Sequence, residues 1–161
     1  MDLCLVGSEM CIRDRHQGNG TAALFQDHPN VFTFSMHGAK NYPFKKQTSD
    51  LDIGLENDTQ DALYLEILKN TLPRLLTKVS PDFIFYLSGV DILASDKLGK
   101  LGCTLKGCMQ RDRFVFESCK KANIPVQVSM GGGYSKDIDV ILEAHKNTFK
   151  TAQEVFFNTL F

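Results

Sequence analysis

Asp14 and His16 stand two residues apart, a D-x-H spacing that in an extended segment turns both side chains to one face. A carboxylate and an imidazole so placed can grip one ion. A further carboxylate delivered from elsewhere completes a three-ligand site with an open position, as catalytic zinc requires. Asp91 is the candidate for that third ligand. Two carboxylates and a neutral imidazole balance the charge of a divalent cation, and the same donors hold Fe2+, Co2+ or Mn2+ as well as Zn2+. Tyr134 follows Gly131-Gly132-Gly133, a stretch that lets backbone approach a ligand closely. Its phenol can hydrogen-bond the oxyanion formed when metal-activated water attacks an amide carbonyl. Each feature also has a plain structural alternative. D-x-H occurs as a surface pair, Asp91 and Asp96 can cap turns, the glycines can shape a loop, and Tyr134 can simply pack.

The elements that must position these residues are legible as alternating strands and helices. Residues 31–36 (VFTFSM), 83–87 (FIFYL) and 124–130 (IPVQVSM) read as buried strands, bounded by Pro, Asn, Asp or Gly. Residues 58–79 read as a helix with Asp58 as its cap and an apolar face that includes Leu63, Leu68 and Leu72; Pro73 should kink or split it. Residues 105–123 and 137–158 read as two more helices, the first with Phe114, Val115 and Cys119 on one side. The polar stretch 38–57 is too long for a plain connector and is expected to be functional or wrapped over a site. Apolar strands separated by helices imply an α/β fold, a parallel sheet covered on both faces. Ligands in such folds sit beyond the C-terminal strand ends, where Asp91, Asp96 and the Gly131–Tyr134 run fall.

Composition narrows the function classes. The 161 residues are 43% hydrophobic and 23% charged with a net charge of -1, which fits one globular domain rather than a disordered chain. Lys and Arg are scattered among acids, so direct nucleic-acid binding is disfavoured. No run of about 18 apolar residues reads as a membrane span. The five cysteines, odd in number and without paired CxxC spacing, read as reduced thiols of an intracellular protein, cytoplasmic or nuclear in a eukaryote.

Residues 1–15 stand apart. Residues 5–14, LVGSEMCIRD, resemble one reading frame of a transposon-type sequencing adapter, so 1–15 is expected to be non-native and 16–161 the native part. Asp14 falls inside the adapter-like run.

Five ordered blocks then carry a family resemblance: HQGNGTA, FSMHGAKNYPFKKQTSDLDI, YLSGVDILASDKLGKL, RDRFVFESC and IPVQVSMGGGYS. Together they span nearly all of the chain after residue 14, and they resemble the histone deacetylase family, its class IV and bacterial-like members most closely. The resemblance implies the arginase/deacetylase fold, a three-layer α/β/α domain of which this chain is the C-terminal part. It implies zinc-dependent hydrolysis of an acetyl-amide, typically acetyl-lysine in histones or other proteins. By motif, Asp14, His16 and Asp91 match the zinc ligands and Tyr134 the tyrosine that polarises the acetyl carbonyl. Tyr42, Leu98, Gly132 and Gly133 match the substrate channel. Ser35, through its hydroxyl, and Met36, through its carbonyl, match a structural K+ site.

The departures concern the same site. The family's paired general-base histidines lie upstream of the D-x-H motif, and none of His28, His37 and His145 matches that pair. Ile12 stands where a supporting aspartate is usual, Arg15 where an apolar residue is usual, and Asn19 where many relatives carry aspartate. A chain without the general base is expected to be inactive, since such a base contributes roughly 100- to 10,000-fold. A sheet without its first strands also has an exposed edge prone to association. The alternatives are a non-catalytic fragment that binds metal weakly and a deacetylase of acetylpolyamines or other small amides. Two-metal arginase chemistry needs further aspartates that HQGN does not supply.

Overall fold

The computed structural model describes residues 2–5, 9–13 and 17–157. Among them the elements follow in the order β1 (Asp2–Leu5), β2 (Glu9–Arg13), α1 (Asn19–Phe25), β3 (Val31–Gly38), β4 (Leu51–Leu55), α2 (Asp61–Val79), β5 (Ile84–Gly89), α3 (Leu105–Ala122), β6 (Val126–Gly131) and α4 (Ile138–Phe157). The three expected strands and three expected helices are present, with ends shifted by a few residues.

The strands form one six-stranded sheet. β2 runs parallel to β3 on one side and to β5 on the other, β3 runs parallel to β4, and β5 to β6. β1 alone among the described strands is antiparallel to its neighbours. The chain steps one way across the sheet from β2 to β3 and β4, then the other way from β4 to β5 and β6. Crossovers between parallel strands are right-handed, so this reversal puts α1 on one face and α2 and α3 on the other. α3 packs between α2 and α4. The three-layer α/β/α expectation holds in this portion.

The core lies between β3, β5 and the α2–α3–α4 layer. Phe34, Met36, Ile84, Tyr86, Leu68, Leu72, Val115 and Phe116 are each fully buried. β3 is buried along nearly its whole length, as a central strand covered on both faces should be. β4 and β6, the outer strands of the described sheet, alternate or are only half-covered.

The structure adds two elements and corrects the reading of α2. β4 lies inside the stretch 38–57, where its LDIGL alternation was too short and polar to stand out. α1 was not anticipated at all; its seven residues include a glycine and bury only Ala22. α2 is capped at Gln60 rather than Asp58, which instead takes a left-handed turn at φ 59°. α2 also runs unbroken through Pro73, and Leu63 on its flank is exposed. The α2 and α3 starts are tied by one carboxylate: Asp61 accepts from the Thr104 amide (2.8 Å) and hydroxyl (2.6 Å), while Thr104 Oγ1 caps α3 by accepting from Gly107 N. A Cβ at Gly107 would stand 1.9 Å from Asp61 Oδ1, so a larger residue there would have to displace the carboxylate that ties the two helix starts.

Candidate active site at the strand ends

β5 and β6 end in register, Gly89 opposite Gly131, and the loops beyond them fold against each other. Asp91 lies two residues past β5 and is buried. The Val90 amide donates to Gly131 O at 3.0 Å and fixes the entry to this loop. Gly132, at φ 64°, brings backbone so close that an added Cβ would stand 2.5 Å from Asp91 Cγ. Only glycine leaves room for the carboxylate at this point. Gly133 follows at φ 105°, and the next residue is Tyr134. The sequence-predicted residues Asp91, Gly132, Gly133 and Tyr134 are thus brought together by two neighbouring strand ends.

Leu98 joins them through Asp96. The Tyr134 amide donates to Asp96 Oδ2 at 2.6 Å and the Leu98 amide to Asp96 Oδ1 at 2.9 Å. The side chains of Tyr134 and Leu98 are themselves exposed, at 52% and 58%. Tyr42 is also exposed, with Phe44 edge-on at 6.2 Å between ring centroids. The peptide bond between Tyr42 and Pro43 is cis. Lys46 ties this segment by donating to the carbonyls of Asn41 and Pro43.

Ser35 and Met36 lie inside β3, both fully buried. The Ser35 hydroxyl is 2.8 Å from His37 Nδ1, and Gln17, Ser49 and Asp52 continue a polar cluster along the same strand ends. Burial holds His37 well below its ordinary pKa, at about 4, with Asp52 opposing. Asp14 and His16 lie outside the described residues, as does any geometry they share with Asp91. Among the described residues no group of three or more His, Cys, Asp or Glu side chains forms a metal cluster. Asp91, a buried carboxylate cradled where a Cβ cannot go, has the chemistry of a ligand for a hard or borderline ion.

A second buried cluster supports the β5 end and was missed in the sequence. Arg111 and Asp112 of α3 are both wholly buried and pair at 2.8 Å. Arg111 Nη1 donates to Gly89 O at 2.7 Å, two residues before Asp91. Asp112 accepts from the Tyr86 hydroxyl and, at 2.6 Å, from Thr148 of α4. Burial, and then the neighbouring Asp112, pushes the Tyr86 phenol well above its ordinary pKa, so it stays a donor. His145, one turn before Thr148, is held below its ordinary pKa by burial, against a backbone hydrogen bond at Gly132. The available signal was position: Arg111 and Asp112 fall on the same helical stripe as Cys108, Val115 and Cys119.

A cavity of about 460 Å3 opens between α2 and α3, lined by Pro73, Leu76 and Phe114 among others, and shares no residue with this site. No helix of the described residues is long and apolar enough to cross a membrane.

Comparison with known proteins shows the family and the fold. A model of the histone deacetylase domain matches residues 13–150. An uncharacterized protein of Picosynechococcus is 47% identical over 143 residues, covering 89% of this chain and 48% of that protein. Histone deacetylase 2 of Arabidopsis thaliana is 32% identical over 126 residues, covering 76% of this chain and 33% of that one. The crystal structure of an acetylpolyamine aminohydrolase from Burkholderia pseudomallei superposes with a TM-score of 0.72 at 19% identity, over 90% of this chain and 45% of that one. The chain spans about half the length, or less, of the relatives it matches, and its fold is that of the arginase/deacetylase group. With the strand-end cluster and these matches together, the chain belongs to the histone deacetylase family.

Proposed function

We propose that these residues are the C-terminal contribution to a zinc-dependent deacetylase site that hydrolyses the acetyl-amide of acetyl-lysine. The observation that carries the reading is the close approach of Gly132, two residues before Tyr134, to the Asp91 carboxylate. Asp91, with Asp14 and His16, would hold the metal. Zinc bound there supplies Lewis-acid polarisation of a carbonyl and a lowered pKa for water. Tyr134 donates a hydrogen bond to the acetyl oxygen as negative charge builds on it, and its exposure leaves the phenol accessible to a substrate. Tyr42 and Leu98 present apolar surface suited to the methylene stem of an acyl-lysine. A structural K+ is proposed at Ser35 and Met36. An intracellular setting fits the buried thiols of Cys103, Cys108 and Cys119, none of which is in a disulfide among the described residues.

The test is acetate release from an acetyl-lysine peptide by the chain, with and without zinc, beside a calorimetric zinc titration. Zinc-dependent release that is lost in Asp91→Ala and falls by roughly 100-fold in Tyr134→Phe supports the reading. An acetylpolyamine run in parallel separates a protein substrate from a small one. Zinc binding through Asp91 without turnover on either substrate assigns this chain to a metal-binding, non-catalytic role.

A further inference from the structure

We infer that Asp96 is a positioning residue that holds Tyr134 and Leu98 in place through their backbone amides. The inference rests on the reading of Tyr134 and Leu98 given above and adds a residue that no motif assigns. Neither side chain is held by packing, since both are more than half exposed. Tyr134 also follows two residues at positive φ, Gly132 and Gly133, whose backbone has more freedom than any other type. Something other than burial must therefore fix where the phenol sits.

Asp96 has the geometry to do it. It is 6% exposed, and its two carboxylate oxygens each take one amide: Oδ2 from Tyr134 at 2.6 Å, Oδ1 from Leu98 at 2.9 Å. Charge-assisted bonds of this length are about twice as strong as neutral ones. The surrounding contacts run between the same two loops. Lys97 N donates to Tyr134 O at 3.3 Å, Asp96 bridges to Ser135, and the hydroxyls of Ser95 and Ser135 meet at 2.7 Å. One carboxylate thus couples the residue facing the acetyl oxygen to a residue on the channel wall. An amide side chain in its place can accept one of the two N–H groups but turns an NH2 toward the other, leaving that donor unpaired.

The experiment uses the full chain, labelled with 15N and 13C. Through-hydrogen-bond couplings from the Tyr134 and Leu98 amides to the Asp96 carboxylate carbon are expected in the wild type, with no variant needed. In Asp96→Asn, hydrogen exchange at one or both of these amides should quicken by about tenfold or more. The Ile84 amide, bonded within the sheet at 2.9 Å from Pro125 O, should not change. Absent couplings, or unchanged exchange at both amides, would overturn the inference. With zinc and an acetyl-lysine peptide, Asp96→Asn should lower kcat more than it raises KM and leave zinc affinity unaltered. Equal zinc affinity with unaltered kcat would also count against it. If the wild-type chain shows no zinc-dependent turnover, it is the proposed activity that fails, and the couplings and exchange rates still decide whether Asp96 is the tether.

Discussion

At the scale of single residues, the clearest constraint is the contact between Gly132 and Asp91. Their association was legible in outline: a carboxylate after one apolar strand and a glycine run after the next belong to the same end of a parallel sheet. The sequence does not carry the distance. Adding one methyl at Gly132 puts a Cβ 2.5 Å from Asp91 Cγ on a backbone at φ 64°. Gly132→Ala should therefore displace the Asp91 carboxylate and also strain the turn by about 1 kcal/mol. A zinc titration beside urea unfolding checks this: the affinity should fall by more than the modest stability loss explains. Unchanged zinc affinity would mean that Asp91 does not hold the metal or that the turn gives way easily. Asp96 shows where residue-level reading stops. Its type suits a turn cap as well as a tether, and only the fold reveals that its two amide donors come from Tyr134 and Leu98, one of them 38 residues away.

At the scale of elements, strands were easier to read than what braces them. β3 and β5 announce themselves as apolar runs because both faces are covered. β4 does not, because an outer strand needs only one apolar face. α3 was read as a helix with an apolar side, and that side carries Arg111 and Asp112 at its centre. A charged pair on a buried stripe breaks the binary pattern and is a signal in its own right. Here it joins α3 to β5 through Gly89 O and Tyr86, and to α4 through Thr148. Breaking a buried ion pair by truncating one partner costs about 3–5 kcal/mol. Asp112→Ala should thus lower the urea midpoint severely. Asp112→Asn, which keeps the shape and some of the hydrogen bonds, should do so less. Replacing Arg111 and Asp112 together by apolar residues of similar volume should be milder than Asp112→Ala alone. If the double replacement is instead the most damaging of the three, the hydrogen bonds to Gly89 and Thr148, rather than the broken ion pair, set the stability of this junction.

At the scale of the whole molecule, the fold should lose stability as the solution becomes acidic, and it should begin to do so before the carboxylates titrate. With a formal net charge of only -1, global repulsion contributes little near neutrality, so particular buried groups set the trend. His37 is 4% exposed at the end of β3. Its Nδ1 lies 2.8 Å from Ser35 Oγ and 3.9 Å from Asp52 Oδ1. Burial is the largest of the causes that lower its pKa from 6.5 to about 4; Asp52 opposes the lowering and Lys46 adds to it. Between those two values the unfolded chain takes up a proton that the folded chain refuses. The stability tied to this neutral imidazole is complete above the upper value and is lost progressively toward the lower one. His145 is shifted in the same direction by burial, so the two reinforce each other. Each such group contributes a slope of at most about 1.4 kcal/mol per pH unit. Urea midpoints should therefore fall between about pH 7 and about pH 5, where ordinary carboxylates are still ionised. His37→Gln, measured against wild type at both values, should be less stable at the higher pH but should lose less on going to the lower one. An equal loss in both proteins would place the proton uptake elsewhere, with His145→Gln as the next variant to measure.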